Sequence, residues 1–152
     1  MPSISKEEGA VIENLFSWCA SADDLIIIKK SIMEARKGRG LYDEAIKHNG
    51  DLNSFKFSVA DATGLRLKVS GELSRVIWFI VKAAPARERM INAGIIFGTW
   101  VYTDALCKYP GHAKLNGKKI PLKKGARIGL FKRIHTGQLV GCWCFCKPVL
   151  PF

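Results

Sequence analysis

Residues 53–82 read NSFKFSVADATGLRLKVSGELSRVIWFIVK, and the period of their apolar side chains decides the fold. Phe55, Phe57 and Val59 alternate with Lys56 and Ser58. Leu65, Leu67 and Val69 alternate with Arg66 and Lys68, and Asp61-Ala62-Thr63-Gly64 lies between the two runs. A period of two predicts a β-hairpin with one wet, basic face. The unbroken apolar run Val76–Val81, inside Arg75–Lys82, suits a strand buried on both faces and so the centre of a sheet.

Outward from this stretch the signals are helical on one side and strand-like on the other. Ser5-Lys6-Glu7-Glu8 is a capping box ahead of Val11, Ile12, Leu15, Phe16 and Cys19, which predicts a helix from about Lys6 to Ala20. Ser21 and Asp24 form a second cap, and Leu25, Ile28, Ile32 and Ala35 mark one face of a helix that stops near Gly38 and Gly40. A short third helix fits Leu41 to Lys47, closed by Asn49-Gly50. On the other side, Pro85 to Ala93 suits one or two helical turns ending at Gly94, and Ile95 to Thr103 suits a strand. Asn116-Gly117 predicts a hairpin joining Ala113–Leu115 to Lys118–Leu122, and Ala126–Ile134 and Leu139–Cys146 complete an antiparallel meander. The expected fold is therefore α+β, in a single domain over 1–152. Residues 1–50 form a unit of two to three helices packed on a mainly antiparallel sheet from 53–152.

Charge is distributed unevenly. The chain carries 24 Lys+Arg and 13 Asp+Glu, yet no acid follows Asp104, while Lys108, Lys114, Lys118, Lys119, Lys123, Lys124, Arg127, Lys132, Arg133 and Lys147 do. Residues 1–104 hold 14 bases against 13 acids, so nearly all of the +11 belongs to 105–152. Like charge on a folded segment repels itself, and a polyanionic partner is the commonest compensation. If Val140, Cys142, Cys144 and Cys146 face the core, then Phe131, Trp143 and Phe145 share the outer face with Arg127 and Arg133. Rings that stack on bases beside cations that neutralise phosphates suit single-stranded nucleic acid. With the faces reversed, the aromatics are core.

The expected function is accordingly a non-enzymatic nucleic-acid-binding protein, with RNA favoured over DNA. Its candidate binding residues are Lys114, Lys118, Lys119, Lys123, Lys124, Arg127, Phe131, Lys132, Arg133, Trp143 and Phe145. The compact basic format suits a small viral or mobile-element protein, and the N-terminal helices offer a surface for a homo-oligomer. The alternative is a peripheral, matrix-like protein on anionic lipid, which exposed aromatics beside Lys and Arg serve equally well. A Cys/His hydrolase is the third reading, with Cys107 or Cys142 as nucleophile, His112 or His135 as base and Asp104 as orienter, but none of the usual catalytic sequence contexts accompanies them.

Five cysteines, Cys19, Cys107, Cys142, Cys144 and Cys146, make an odd number and point to reduced thiols. Zinc with His112 and His135 as further ligands is weighed against the spacing. On a strand, the single-residue gaps of Cys142-Trp143-Cys144-Phe145-Cys146 would set the sulfurs in a row about 7 Å apart, which is awkward for one ion and favours buried, small apolar side chains as their role. No metal and no cofactor is therefore assigned. With no basic, apolar leader at Met1–Glu8 and no apolar run of bilayer length, the expected setting is cytoplasmic or nuclear, neither secreted nor transmembrane.

Overall fold

The computed structural model describes residues 3–150. The fold is α+β: among the described residues there are five α-helices, one 3-10 helix and two small antiparallel sheets. The chain divides into two compact units, 1–82 and 83–152.

The first unit is helical. It contains α1 (Lys6–Phe16), α2 (Ala22–Arg36), α3 (Tyr42–His48), α4 (Leu52–Thr63) and the first part of α5 (Leu67–Asn92). Ser5 caps α1 by accepting from the Glu8 amide at 3.1 Å. The Glu8 carboxylate does not complete the box, because it is buried in an ion pair with Arg36. Ser21 and Asp24 do form the full reciprocal box at the start of α2.

The expected hairpin and central strand over 53–82 are helices instead. A period of two and a period of 3.6 agree at i and i+4, so Phe55 with Val59, and Leu65 with Val69, satisfy both. The residue between decides: Phe57 is 54% exposed and Leu67 is 44% exposed, which an alternating strand with one apolar face forbids. Asp51 starts α4 by accepting from the Ser54 amide at 3.2 Å, and Gly64 ends it at φ 72°. In α5 the buried set Val69, Leu73, Val76, Ile77, Ile80 and Val81 recurs at helical spacing, and the short run of six apolar residues is where that stripe is widest. With Ile12, Phe16, Ile28, Ile32, Phe55 and Val59 it makes the core of this unit.

The second unit holds the end of α5 and the strands. Gly94 stops α5 at φ 84°, as its position after Ala93 suggests. Strand β1 (Phe97–Val101) is the middle of a sheet ordered β2-β1-β5, with β2 at Lys119–Pro121 and β5 at Phe145–Val149. Trp100 faces Cys146 and Gly98 faces Pro148 across the β1/β5 ladder. The second sheet is a two-residue ladder, β3 (Ala126–Arg127) on β4 (Arg133–Ile134).

Three further strand expectations change. Residues Pro110–Leu115 form a 3-10 helix, and Asn116-Gly117 is a tight turn onto β1 rather than a hairpin loop. The Asn116 side chain accepts from the Tyr102 amide at 3.0 Å, and the Gly117 amide donates to the Trp100 carbonyl at 2.8 Å. Ala126–Ile134 is broken at its middle, since Gly129 and the bases and apolar residues around it form a tip between β3 and β4. Leu139–Cys146 begins as a turn, with Gly141 at φ 82°, and becomes strand only at Phe145. Gly125 sits where a Cβ would collide with the Ile134 carbonyl, at φ 80°, so only glycine lets β3 and β4 close.

Candidate metal centre and cationic surface

Two loops of the second unit converge on one point. The first follows β1: the Leu106 and Cys107 amides both donate to the Thr103 carbonyl, at 3.0 and 2.8 Å, and the chain then enters the 3-10 helix that carries His112. The second is the turn 139–144, closed by the Cys142 amide on the Leu139 carbonyl at 3.0 Å. They are stitched together by the Lys108 amide donating to the Gly141 carbonyl at 2.9 Å and by the Tyr109 hydroxyl donating to the Val140 carbonyl at 2.6 Å.

The result is a buried cluster of Cys107, His112, Cys142 and Cys144, whose ligand atoms all lie within 4.8 Å of one another. His112 Nδ1 stands 3.6 Å from Cys107 Sγ, 3.4 Å from Cys142 Sγ and 4.0 Å from Cys144 Sγ. The imidazole is held between rings, stacked on Tyr109 at 5.0 Å and edge-on to Trp100 at 5.7 Å. Burial pushes the Cys142 and Cys144 thiols up. Backbone N–H groups nearby act the other way, Gly137 and Cys144 toward Cys142 and Thr103 toward Cys144. The Trp100 indole N–H is buried without a nitrogen or oxygen partner; it lies near the Cys144 sulfur, which it would favour as thiolate, without the alignment of a formed hydrogen bond. These four side chains could hold a metal ion.

The spacing argument against zinc does not apply here, because Cys142 and Cys144 are not on a strand. The two lie in the irregular stretch between the turn at Gly141 and β5, and their sulfurs come within 4.8 Å of each other, with Trp143 exposed between them. His135 and Cys146 are not part of the cluster. His135 stands beside Arg87, and burial first, then that guanidinium, lowers its pKa to about 4.

Every candidate nucleic-acid residue is exposed: Lys114 on the 3-10 helix, Lys118 and Lys119 entering β2, Lys123 and Lys124 in the turn after it, Arg127, Phe131, Lys132 and Arg133 on β3, β4 and the tip between them, and Trp143 and Phe145 leaving the ligand turn. The aromatics are out and Val140, Cys142 and Cys144 are in. Arg127 and Arg133 are direct cross-strand partners, and the tip between them exposes Leu130 by 80% and Phe131 by 95%. The Arg133 guanidinium also donates to the Gly125 carbonyl at 3.0 Å. Lys123 and Lys124 stand at an open cleft of about 540 Å³ lined by Ile91, Ile95, Phe97 and Pro121. Among the described residues, no cation from 105 onward makes an ion pair.

The cations, the aromatics, the cysteines and His112 stand out in the sequence, whereas the convergence of Cys107, His112, Cys142 and Cys144 on one point and the aliphatic part of the tip do not. No helix among the described residues is long and apolar enough to cross a membrane. No protein-family model matches the chain, and neither a curated protein nor a solved structure is detectably similar to it.

Proposed function

We propose that the second unit is a nucleic-acid-binding module, with RNA as the first partner to test, and that the protein acts by binding rather than catalysis. The observation that carries this reading is unneutralised charge on a folded surface. Residues 83–152 contain 12 Lys+Arg and 2 acids, Glu88 and Asp104, and two of the arginines are held directly opposite each other. Like charges in that position cost stability in the free protein, and phosphates between or beside them would relieve the cost. Phe131, Trp143 and Phe145 stand exposed in the same unit and could stack on unpaired bases. The non-enzymatic reading is supported by the burial of the three thiols nearest His112, since a cysteine nucleophile works from a partly exposed site that favours its thiolate.

Fluorescence anisotropy with labelled single-stranded RNA, duplex RNA and single-stranded DNA tests the proposal. Salt-sensitive binding to at least one of them is expected, and no binding at low salt to any of them refutes it. The apolar tip supports a second reading, adsorption to anionic lipid, because Leu130 and Phe131 between Arg127 and Lys132 would suit insertion among headgroups. Co-sedimentation with phosphatidylserine vesicles, lost in Phe131→Ser, would favour that reading, and its absence removes it.

A further inference from the structure

We propose that Cys107, His112, Cys142 and Cys144 bind one Zn²⁺ in a closed, structural site that holds the second unit together. The inference is independent of nucleic-acid binding and begins from what hydrogen bonding cannot explain. A histidine Nδ1 offers one donor or one acceptor position, so it can serve one thiol. Here three sulfurs surround the same Nδ1 at 3.6, 3.4 and 4.0 Å. Four donor atoms converging on one point are arranged for something at their centre.

The distances fit zinc. With Zn–S near 2.3 Å and Zn–N near 2.0 Å, a tetrahedron has N···S edges of about 3.5 Å and S···S edges of about 3.8 Å. The three N···S edges, 3.4 to 4.0 Å, bracket that value, and the remaining edges lie within 4.8 Å. The donor set selects the ion class. Three thiolates and an imidazole suit Zn²⁺ and disfavour Mg²⁺ or Ca²⁺, which want oxygen. All four donors come from buried side chains, so no coordination position opens to solvent, which is the pattern of structural rather than catalytic zinc.

The fold supplies the reason for such an ion. Apart from the end of α5 and one 3-10 helix, the second unit has strands of only two to five residues joined by long loops. Units this small often need a covalent or metal link to stay folded. All five cysteines are free, so disulfides do not provide it. Zinc would tie the loop after β1 to the turn before β5, the two segments already joined by Tyr109 and Lys108. Binding is balanced as Zn²⁺ plus three thiols giving a tris-thiolate site and three protons released to solvent, with no change of oxidation state.

The experiment uses the full chain purified under reducing conditions without chelator. Elemental analysis is expected to give one zinc per chain. Exchange for Co²⁺ is expected to give the thiolate-to-cobalt charge-transfer and tetrahedral d–d absorption. Cys107→Ser, Cys144→Ser and His112→Ala should lose the ion at least tenfold, His112→Cys should retain it, and Cys19→Ser and Cys146→Ser should be unaffected. Because ligand variants can unfold, the wild-type chain decides: less than a tenth of a zinc per chain, together with no Co²⁺ charge-transfer band on titration, overturns the proposal. Full occupancy that persists in Cys144→Ser and His112→Ala overturns the assignment of the ligands.

Discussion

Replacing Arg127 by Gln should make the free protein more stable and its nucleic-acid complex weaker. Arg127 and Arg133 are directly opposed on a two-residue ladder, where Cβ atoms stand roughly 5 Å apart. Guanidinium charges carried on such stems come no closer than about 5 Å, so in water they repel by at most about 0.8 kcal/mol, reduced to at most about 0.4 kcal/mol by screening at 0.15 M salt and to at most about 0.7 kcal/mol at 0.01 M. Arg127 is the one to change, because Arg133 also bonds the Gly125 carbonyl and its loss would mix two effects. Gln keeps two of the three methylenes and a polar end while removing the charge. Urea unfolding at the two salt concentrations should show a gain of up to about 0.4 kcal/mol at 0.15 M and up to about 0.7 kcal/mol at 0.01 M. On a single strand the same variant should lower the slope of log K against log salt by about 0.7, one phosphate contact. A variant that is less stable at both salt concentrations and binds with an unchanged slope would refute the reasoning, since the pair would then be neither repulsive nor part of the binding surface.

Trp143→Ala should reduce affinity for single strands while costing under about 2 kcal/mol of stability, because a ring already 41% exposed loses less than the roughly 3 to 5 kcal/mol of a buried one; a melt and a binding curve on one sample separate the two effects. His135 predicts a pH dependence: its folded pKa of about 4 lies below its ordinary 6.5, so the neutral form is favoured by folding. Stability from this group is present above pH 6.5 and is lost as pH falls toward 4, and His135→Gln should flatten that part of the urea-midpoint profile relative to wild type. With zinc bound as proposed, a strong chelator under reducing conditions should diminish the near-ultraviolet circular dichroism to which Trp100 and Tyr109, which contact His112, contribute, and added Zn²⁺ should restore it.

The parts of this fold that were legible in the sequence are those set by local chemistry. Ser5, and Ser21 with Asp24, announced α1 and α2, Gly94 announced the end of α5, and the β-branched and aromatic run around Trp100 announced β1. The segment 53–82 was not legible, because Phe55/Val59 and Leu65/Val69 satisfy two periods at once. The exposure of Phe57 and Leu67, a tertiary fact, separates them, and the Asp51 cap and the Gly64 stop of α4 are the local signals that point the same way. The cations were legible because acid-free charge must remain at the surface. The Cys/His cluster was half legible: Cys107, His112 and Cys142 were each singled out, but a strand was assumed through Cys142 and Cys144. The glycine at position 141, at φ 82°, marks a turn just before these cysteines, and their sulfurs come within 4.8 Å of each other. His112 reaches the same point through a contact 30 residues away in sequence, which no local pattern encodes.

The salt dependence of binding to a short single-stranded RNA tests the central claim most directly. If about four of the eight candidate Lys and Arg side chains engage phosphates, log K falls against log salt with a slope of about −3. A slope of that size, reduced in Arg127→Gln, is the predicted result. Absent binding at low salt, or a slope shallower than about −1, contradicts the account, because so exposed and unneutralised a set of cations could not bind a polyanion without releasing counterions.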